Sequence, residues 1–424
     1  MKKFQIAILV IAAGLVIGLG YSTVYRSGPH QFGNRTWGSK AHRTDFTVYH
    51  EAGRAVLAGD NIYEVSNRRG WVYQYLPVFA VAMTPLALLS VFWASLVWYL
   101  MSVAMLAHTV WIYVRLARQF FPNHRLPDFW VGTFAAGLLL WPAMSGIVRG
   151  QASLLLMWLM SLSVWLQIKE RPWSAGLALS AAIVLKIFPA LLLIYWAVKR
   201  QWMAALATSV WLAALVFVVP CAAYGVSGNI ELLRQWVMTV AMPANQPNQS
   251  ADNLRYKQMI SPYIARNQSV QAVAIRWIAG AWEETADHSR ELLARKVAMG
   301  INLALLAVSV WACRRREMRW GLVEACVVIQ LMLFLAPVSW SHNYTLLVMP
   351  VAVAVALALG EGSKPMRWAL GVFTVAVMLA VTVKLFHIYG TLLCGTLALW
   401  AGFICWLMQG SGSHSDDKPG IVRP

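Results

Sequence analysis

The chain has 424 residues, of which 59% are hydrophobic and only 12% are charged, about half the charged fraction of an average soluble domain. This composition, with its 22 Trp, excludes a soluble globular domain, a disordered chain and a disulfide scaffold, and it indicates an all-α polytopic membrane protein. The 35 Lys and Arg outnumber the 17 Asp and Glu, for a net charge of +18. In membrane proteins such an excess is typical of cytoplasmic loops, so nucleic acid is not an expected partner.

The apolar runs predict the membrane spans. The first follows Lys3 and extends to about Tyr21, which predicts an uncleaved anchor with a cytoplasmic N-terminus. Further candidate spans lie at 92–115, 130–148, 152–168, 202–222, 297–313, 320–337, 342–360, 368–386 and 391–408. Residues 173–198 carry Lys186 and Pro189 near their centre and are interpreted as a hairpin of two short helices with an external tip. The prediction is about 12 transmembrane helices with both termini in the cytoplasm.

The connecting segments divide by charge. Short basic segments, predicted to be cytoplasmic, lie at 115–125, 169–171, 199–200, 314–319 and 364–367. Residues 77–90 are too short to span and are interpreted as an interfacial helix inside a first external loop at about 22–91. A second external loop is expected at about 223–296, within a single integral membrane domain over 1–408. Residues 409–424 are Gly/Ser-rich and are expected to form a disordered cytoplasmic tail.

The five cysteines lie inside apolar runs or at their ends, so the sequence predicts no disulfide framework.

The first external loop contains a predicted helix between Thr44 and Gly59, over which apolar residues recur at helical spacing. Thr44 is its predicted N-cap, which places Asp45 in the first turn. One interpretation of Asp45 is a favourable interaction with the helix dipole, worth roughly 0.3–1 kcal/mol. The other is a chemical role at the membrane surface.

Other polar residues interrupt or flank the apolar runs. They are Arg149 and Gln151, Lys186, Asn267 with Arg276, and Trp340, His342 and Tyr344. An ionisable group such as Lys186 is costly within a membrane span and is by default a functional candidate, with snorkelling to the interface as its alternative. The last two groups could equally be an ordinary polar loop and an interfacial aromatic cluster.

These residue types suit one reaction in particular. Sugar transfer outside the cytoplasmic membrane usually draws on a lipid-phosphate donor, whose phosphate is already a good leaving group. Cations or hydrogen-bond donors must then stabilise the phosphate, and one carboxylate can act as base on the acceptor hydroxyl in an inverting displacement. A single Asp in the first loop, with cations and a His near the same interface, matches this requirement.

An ordered set of short motifs runs along most of the chain. It comprises Asp45, Phe46 and Tyr49; Gly59, Asp60, Ile62 and Tyr63; Tyr75, Leu76 and Pro77; Arg149, Gly150 and Gln151; Leu185, Lys186 and Pro189; Asn267, Gln268, Ser269 and Arg276; and Trp340, His342 and Tyr344. In this order the chain resembles polyprenyl-phosphate-sugar-dependent glycosyltransferases of the GT-C superfamily, and most closely glycosyltransferase family 87, which includes phosphatidylinositol mannoside mannosyltransferases. Leu76 departs from the family pattern, in which Pro is expected.

The resemblance implies a GT-C-like fold, with juxtamembrane helices in the first external loop and an active site on the external side of the inner membrane. It implies that Asp45 is the catalytic base and that His342 binds or orients the donor phosphate. Lys186, Arg149 and Arg276 are inferred phosphate or acceptor contacts. The remaining candidates for the donor or acceptor pocket are Tyr49, Tyr63, Tyr75, Gln151, Asn267, Trp340 and Tyr344.

The leading hypothesis is transfer of one sugar, with mannose as first candidate, from a polyprenyl-phosphate carrier to an external lipid or glycan acceptor. The expected partners are therefore the lipid-linked donor, a glycolipid or glycan acceptor and membrane lipids, with no further cofactor and no metal. The alternative from another class is a multi-pass lipid or sugar transporter or flippase, which would favour internal repeats and buried charges in several spans. A third hypothesis is a transferase similar to O-antigen ligases, which would also use a lipid-linked donor. Such an enzyme would usually present a large external loop late in the chain rather than an Asp in the first loop.

Overall fold

The computed structural model of the chain describes residues 2–25, 30–32, 35–37, 44–67, 70–121, 126–242, 261–314 and 321–409. The tail predicted at 409–424 lies outside these residues except for its first position. The same holds for parts of the predicted basic segments at 115–125 and 314–319 and for residues 243–260 of the predicted second external loop.

The described chain is mostly helical, and β1 (His30–Phe32) pairs antiparallel with β2 (Arg35–Trp37) in one short hairpin. The helices are α1 (Lys2–Gly20), α2 (Thr44–Ala58), α3 (Pro77–Ala87), α4 (Val91–Phe120), α5 (Asp128–Leu138), α6 (Leu140–Arg149), α7 (Ser153–Ile168), α8 (Pro172–Leu185), α9 (Ala190–Val198), α10 (Trp202–Ala213), α11 (Cys221–Trp236), α12 (Val270–Ile278), α13 (Glu291–Arg314), α14 (Leu322–Leu335), α15 (Val348–Val355), α16 (Lys364–Thr382), α17 (Lys384–Ile388) and α18 (Thr391–Gln409).

Short π-helical and 3₁₀ segments extend or precede several of these helices. The π-helical segments are Tyr21–Tyr25, Ala214–Val218, Val237–Ala241 and Ala356–Gly360, and the 3₁₀ segments are Glu283–Thr285, His288–Arg290 and Ser341–Leu347.

Six helices among the described residues are long and apolar enough to cross a membrane, and up to eight if each of two bent pairs forms one span. They are Phe4–Val24, Val91–Phe120, His288–Cys313, Ser341–Gly360, Lys364–Thr382 and Thr391–Gln409. The bent pairs are α5 with α6, at 58°, and Trp202–Val218 with Cys221–Ala241, at 87°. The structure therefore describes a polytopic helical membrane protein, and the finer count of twelve spans, which also includes shorter helices, stays a prediction.

The core surrounds the segment Ser341–Gly360. In the most apolar stretch of this segment, 94% of the residues are buried inside the protein. Nearly every residue of α14 is buried beside it. A membrane span that is apolar on all sides and enclosed in this way packs against other helices rather than lipid. This central position brings the start of the segment, with His342, into the interior of the bundle.

The predicted helix of the first loop is present as α2, which begins at Thr44 and ends at Ala58, before Gly59 in the left-handed region (φ 77°). It packs closely on α3, because a Cβ at Gly53 would lie 3.0 Å from the backbone of Met83. The imidazole Nε2 of His50 lies 3.0 Å from the carbonyl oxygen of Leu89. These contacts hold α2 against the bundle.

The predicted pair of short helices is confirmed. Residues 173–198 form two helices, α8 and α9, which are separated by a break at Lys186–Pro189. All five cysteines are free. Leu76 precedes α3 in an extended conformation (φ −62°, ψ 153°) with Pro77 at the first helical position, so α3 starts normally despite the departure from the family pattern.

Candidate active site

A cavity of about 1380 Å³ opens where the first-loop segments meet the helix bundle. Its walls come from α2, from the 71–76 segment, from α6, from the break between α8 and α9, and from residues 264–266 and 336–343. Apolar residues of α8, α9 and α14 form part of the lining, and polar groups from several distant segments converge on it. The volume exceeds the roughly 300–1,000 Å³ of a drug-sized ligand site.

Asp45 lines this cavity from the first turn of α2. Its carboxylate accepts a hydrogen bond from the side chain of Gln151. Burial raises the pKa of Asp45 from 3.8 to about 6, and the Gln151 hydrogen bond and the positive charge of Lys186 act against that rise. The carboxylate is therefore mostly ionised at neutral pH and basic enough to take a proton, as a general base requires.

The turn after α6 brings Gln151 to Asp45. Gly150 ends the helix in the left-handed region (φ 64°), and a Cβ at this position would lie 2.5 Å from the Cβ of Phe46. The indole nitrogen of Trp98 donates a hydrogen bond to the carbonyl of Gly150 at 3.1 Å. The absence of a side chain at residue 150 thus allows the turn to pack directly on the start of α2. Arg149 and Gln151, on either side, both line the cavity.

Lys186 enters the cavity from the break between α8 and α9. Its backbone is extended (φ −153°, ψ 138°), because α8 ends at Leu185 and Pro189 follows three residues later. Its ammonium donates a hydrogen bond to Oδ1 of Asn343 at 2.6 Å. The side chain is therefore held inside the protein, where its charge acts on Asp45.

His342 lies in the 3₁₀ segment Ser341–Leu347, is buried and lines the cavity. Its Nε2 has no hydrogen-bond partner among the described residues. A buried nitrogen without a partner costs free energy unless a ligand or water satisfies it. This atom is therefore available to a bound substrate.

Tyr49 and Tyr75 complete the wall next to Asp45. Their hydroxyls are 2.9 Å apart and their rings pack edge to face. Burial raises the pKa of both phenols above 10.0, so they remain protonated at neutral pH. One hydroxyl donates to the other, which leaves one O–H of the pair to donate to a ligand oxygen. Among the described residues that line the cavity, Asp45 is the only carboxylate.

The structure brings eight of the predicted site residues to the cavity and leaves four outside its lining. The eight are Asp45, Tyr49, Tyr75, Arg149, Gln151, Lys186, Trp340 and His342. Tyr63 donates its hydroxyl hydrogen to the carbonyl of Tyr75, and the buried Tyr344 donates to the carbonyl of Gln268. These two tyrosines support the wall from behind.

The other two residues outside the lining are Asn267 and Arg276. Asn267 is buried, and its side-chain oxygen accepts hydrogen bonds from the backbone nitrogens of Ser269 and Ser339. Arg276 is 3% exposed and donates to backbone carbonyls only. The inferred contact between Arg276 and phosphate or acceptor is therefore not supported by its position, because its guanidinium is already occupied within the protein.

Asn343 and Arg266 are lining residues beside predicted motifs that were not themselves predicted as site residues. Asn343 follows His342 and accepts the hydrogen bond of Lys186. Arg266 immediately precedes Asn267 and lines the cavity with an exposed side chain. In the sequence, only their position next to a predicted motif indicated that either residue could belong to the site. Within the described residues, no group of three or more His, Cys, Asp or Glu is arranged to hold a metal ion.

Residues 73–337 of the chain match the model of Glycosyltransferase family 87. Two relatives are each named as a polyprenol-phosphate-mannose-dependent alpha-(1-2)-phosphatidylinositol mannoside mannosyltransferase. The protein from Mycobacterium tuberculosis is 26% identical over 328 residues, which cover 73% of this chain and 69% of the relative. The protein from Mycolicibacterium smegmatis is 26% identical over 338 residues, which cover 74% and 69%. No solved structure matches the chain.

Proposed function

Since the chain belongs to glycosyltransferase family 87, we propose that it transfers a single sugar from a polyprenyl-phosphate-linked donor to a glycolipid or glycan acceptor, with inversion at the anomeric carbon. The names of the relatives favour mannose as the sugar and a phosphatidylinositol mannoside as the first acceptor to test. Family membership also favours this hypothesis over the transporter alternative.

The observation that carries the proposal is the meeting of one ionisable carboxylate with several cationic or donor groups in a single cavity. Asp45 and His342 lie outside the residues 73–337 that match the family model, so their roles depend on this geometry. Asp45 has a pKa of about 6, whereas Lys186, Arg149 and His342 supply positive charge or hydrogen-bond donors. One base and a cationic phosphate site are what an inverting displacement of a lipid phosphate requires.

In the proposed reaction the acceptor hydroxyl attacks the anomeric carbon of the donor sugar while Asp45 removes the hydroxyl proton. The bond between the anomeric carbon and the phosphate oxygen breaks, and polyprenyl phosphate leaves with the electron pair. Negative charge thus disappears from Asp45 and develops on the phosphate. Because Lys186 already acts electrostatically on Asp45, it can compensate the charge both before and after transfer. The apolar wall provided by α8, α9 and α14 would contact the carrier lipid.

The proposed orientation places the cavity on the external side of the inner membrane, with both termini in the cytoplasm. It rests on the basic segments at 169–171, 199–200 and 364–367, which the positive-inside rule assigns to the cytoplasm. Residue 186, at the break between α8 and α9, would then lie at the external end of its hairpin.

The test is transfer by purified protein in nanodiscs, with radiolabelled polyprenyl-phosphate-mannose and either phosphatidylinositol mannosides or an extracted lipid fraction. Wild type, Asp45→Asn and the matched control Asp60→Asn are compared. Labelled product from wild type and Asp60→Asn, with none from Asp45→Asn, would support both the reaction and the base. Transfer only from another polyprenyl-phosphate sugar would change the sugar and keep the reaction. Folded protein that uses no lipid-linked donor would refute the proposal.

A further inference from the structure

Arg276, the cation of the Asn267–Ser269 motif, serves the protein rather than a ligand. Its Nε donates to the carbonyl of Ile388 at 2.7 Å, and one terminal nitrogen donates to the carbonyl of Asn267 at 2.9 Å. The other terminal nitrogen donates to the carbonyls of Pro262 and Ile264. Four carbonyls therefore converge on one guanidinium, which ties the 262–267 loop and Ile388 to the last turn of α12.

The same loop is fixed on its other side to the segment that carries His342. The backbone nitrogen of Ser341 donates to the carbonyl of Arg266 at 3.0 Å, and the backbone nitrogen of Gln268 donates to the carbonyl of Ser339 at 2.8 Å. Asn267 forms a β-bridge with Trp340. The backbone of residue 266 is therefore rigidly placed beside the 339–342 segment, so its side chain starts from a defined position.

The Arg266 side chain contrasts with that of Arg276, because it is exposed and lines the cavity. Among the described residues it has no ion pair and its guanidinium has no hydrogen-bond partner. Its charge acts on His342, as does the charge of Lys186. The described cavity lining therefore carries Lys186, Arg149 and Arg266 against the single carboxylate of Asp45, an excess of positive charge that favours an anionic ligand.

We propose that Arg266 binds the phosphate of the lipid-linked donor together with His342, and that Arg276 is the positioning residue that holds its loop. This inference rests on the proposed function. A guanidinium presents paired N–H donors that match the two non-bridging oxygens of a phosphodiester. The donor carries this group on the anomeric carbon that reacts, whereas the phosphodiester of a phosphatidylinositol mannoside is separated from the reacting hydroxyl by the inositol ring. When the phosphate leaves as a dianion, the interaction strengthens, so Arg266 contributes to leaving-group stabilisation as well as to donor binding.

The experiment compares four proteins: wild type, Arg266→Gln, Arg266→Lys and Arg54→Gln. For each protein, initial rates are measured with the donor and the acceptor concentrations varied separately, and the inhibition constant of polyprenyl phosphate is determined. Arg54 is exposed on α2 and does not line the cavity, so its variant controls for the loss of one positive charge. Loss of a charged hydrogen bond predicts a fall of about 10- to 100-fold in kcat/KM for the donor in Arg266→Gln. The KM for the acceptor and the melting temperature stay unchanged, the inhibition constant of polyprenyl phosphate rises, and Arg266→Lys recovers part of the loss.

A separate Arg276→Gln variant is expected to lower the melting temperature, because four carbonyls lose the guanidinium as their donor. At temperatures where the variant is folded, it should raise the KM for the donor and leave the KM for the acceptor unchanged. Equal donor kinetics and equal polyprenyl phosphate inhibition in Arg266→Gln and wild type would overturn the proposal. An equal fall in kcat/KM for donor and acceptor, together with a lower melting temperature, would also overturn it, since that pattern indicates a structural role. Absence of transfer by wild type would instead refute the proposed function, which distinguishes the two failures.

Discussion

Replacement of Asp45 by Asn is expected to raise the stability of the protein while it nearly abolishes transfer. Burial raises the pKa of Asp45 from 3.8 to about 6, so the folded protein binds more protons than the unfolded chain between about pH 4 and pH 6. The free energy of unfolding of the wild type therefore falls as the pH rises through this window. At neutral pH the ionised carboxylate costs at most about 3 kcal/mol, a figure that solvent in the cavity reduces.

Asn cannot ionise, so the stability gain of the variant depends on pH. The same two pKa values predict a gain that grows from about 1 kcal/mol at pH 4.5 to at most about 3 kcal/mol at pH 7.5. Loss of a general base predicts a fall in kcat of about 10²- to 10⁴-fold. Chemical unfolding in detergent at the two pH values, with transfer rates measured on the same preparations, tests both expectations. Asp60→Asn, at an exposed position just after α2, is the matched control and should change neither.

The opposite result has a distinct physical meaning. If Asp45 served only the dipole of α2, the Asn variant would lose roughly 0.3–1 kcal/mol of stability at pH 7.5 and keep its activity. A variant that is less stable than wild type and fully active would therefore refute the assignment of Asp45 as a base held at an energetic cost.

Two other substitutions test the surroundings of Asp45. Lys186→Met removes a positive charge that lowers the pKa of Asp45. The acidic limb of the rate–pH profile, expected near pH 6 in wild type, should therefore move to higher pH in the variant. A limb that does not move would contradict the electrostatic coupling between Lys186 and Asp45. Gly150→Ala forces a Cβ within 2.5 Å of that of Phe46 in the left-handed region and should lower kcat by at least about 10-fold through displacement of α2. Gly59 also has a positive φ, but a Cβ at this position would meet no atom within 4 Å, so Gly59→Ala should lower stability without lowering kcat. Equal losses of activity in the Gly150 and Gly59 variants would argue against a specific role of the turn at Gly150.

The candidate site was only partly predictable, and its irregular segments show why. The break at Lys186 is encoded locally, because Pro189 prevents a continuous helix and an ionisable residue stands in an apolar run. Arg276 and Arg266 are both near the Asn267 motif, and the sequence pattern favoured Arg276, the one on the helix. Helical periodicity does not determine where the side chain of a loop residue points, and the hydrogen bonds that occupy Arg276 come partly from Ile388, far along the chain.

The sequence by itself determined the class of the protein, its apolar runs, the bounds of α2 and the residue types available for chemistry. These follow from hydropathy, helix stop signals and the cost of burying charge, all of which act over short stretches of chain. The tertiary structure decided which polar groups share one cavity. Asp45, Lys186 and His342 come from segments far apart in the chain, and only their packing around Ser341–Gly360 brings them together. The same packing buries Asp45 and raises its pKa, because desolvation depends on neighbours that no local pattern specifies.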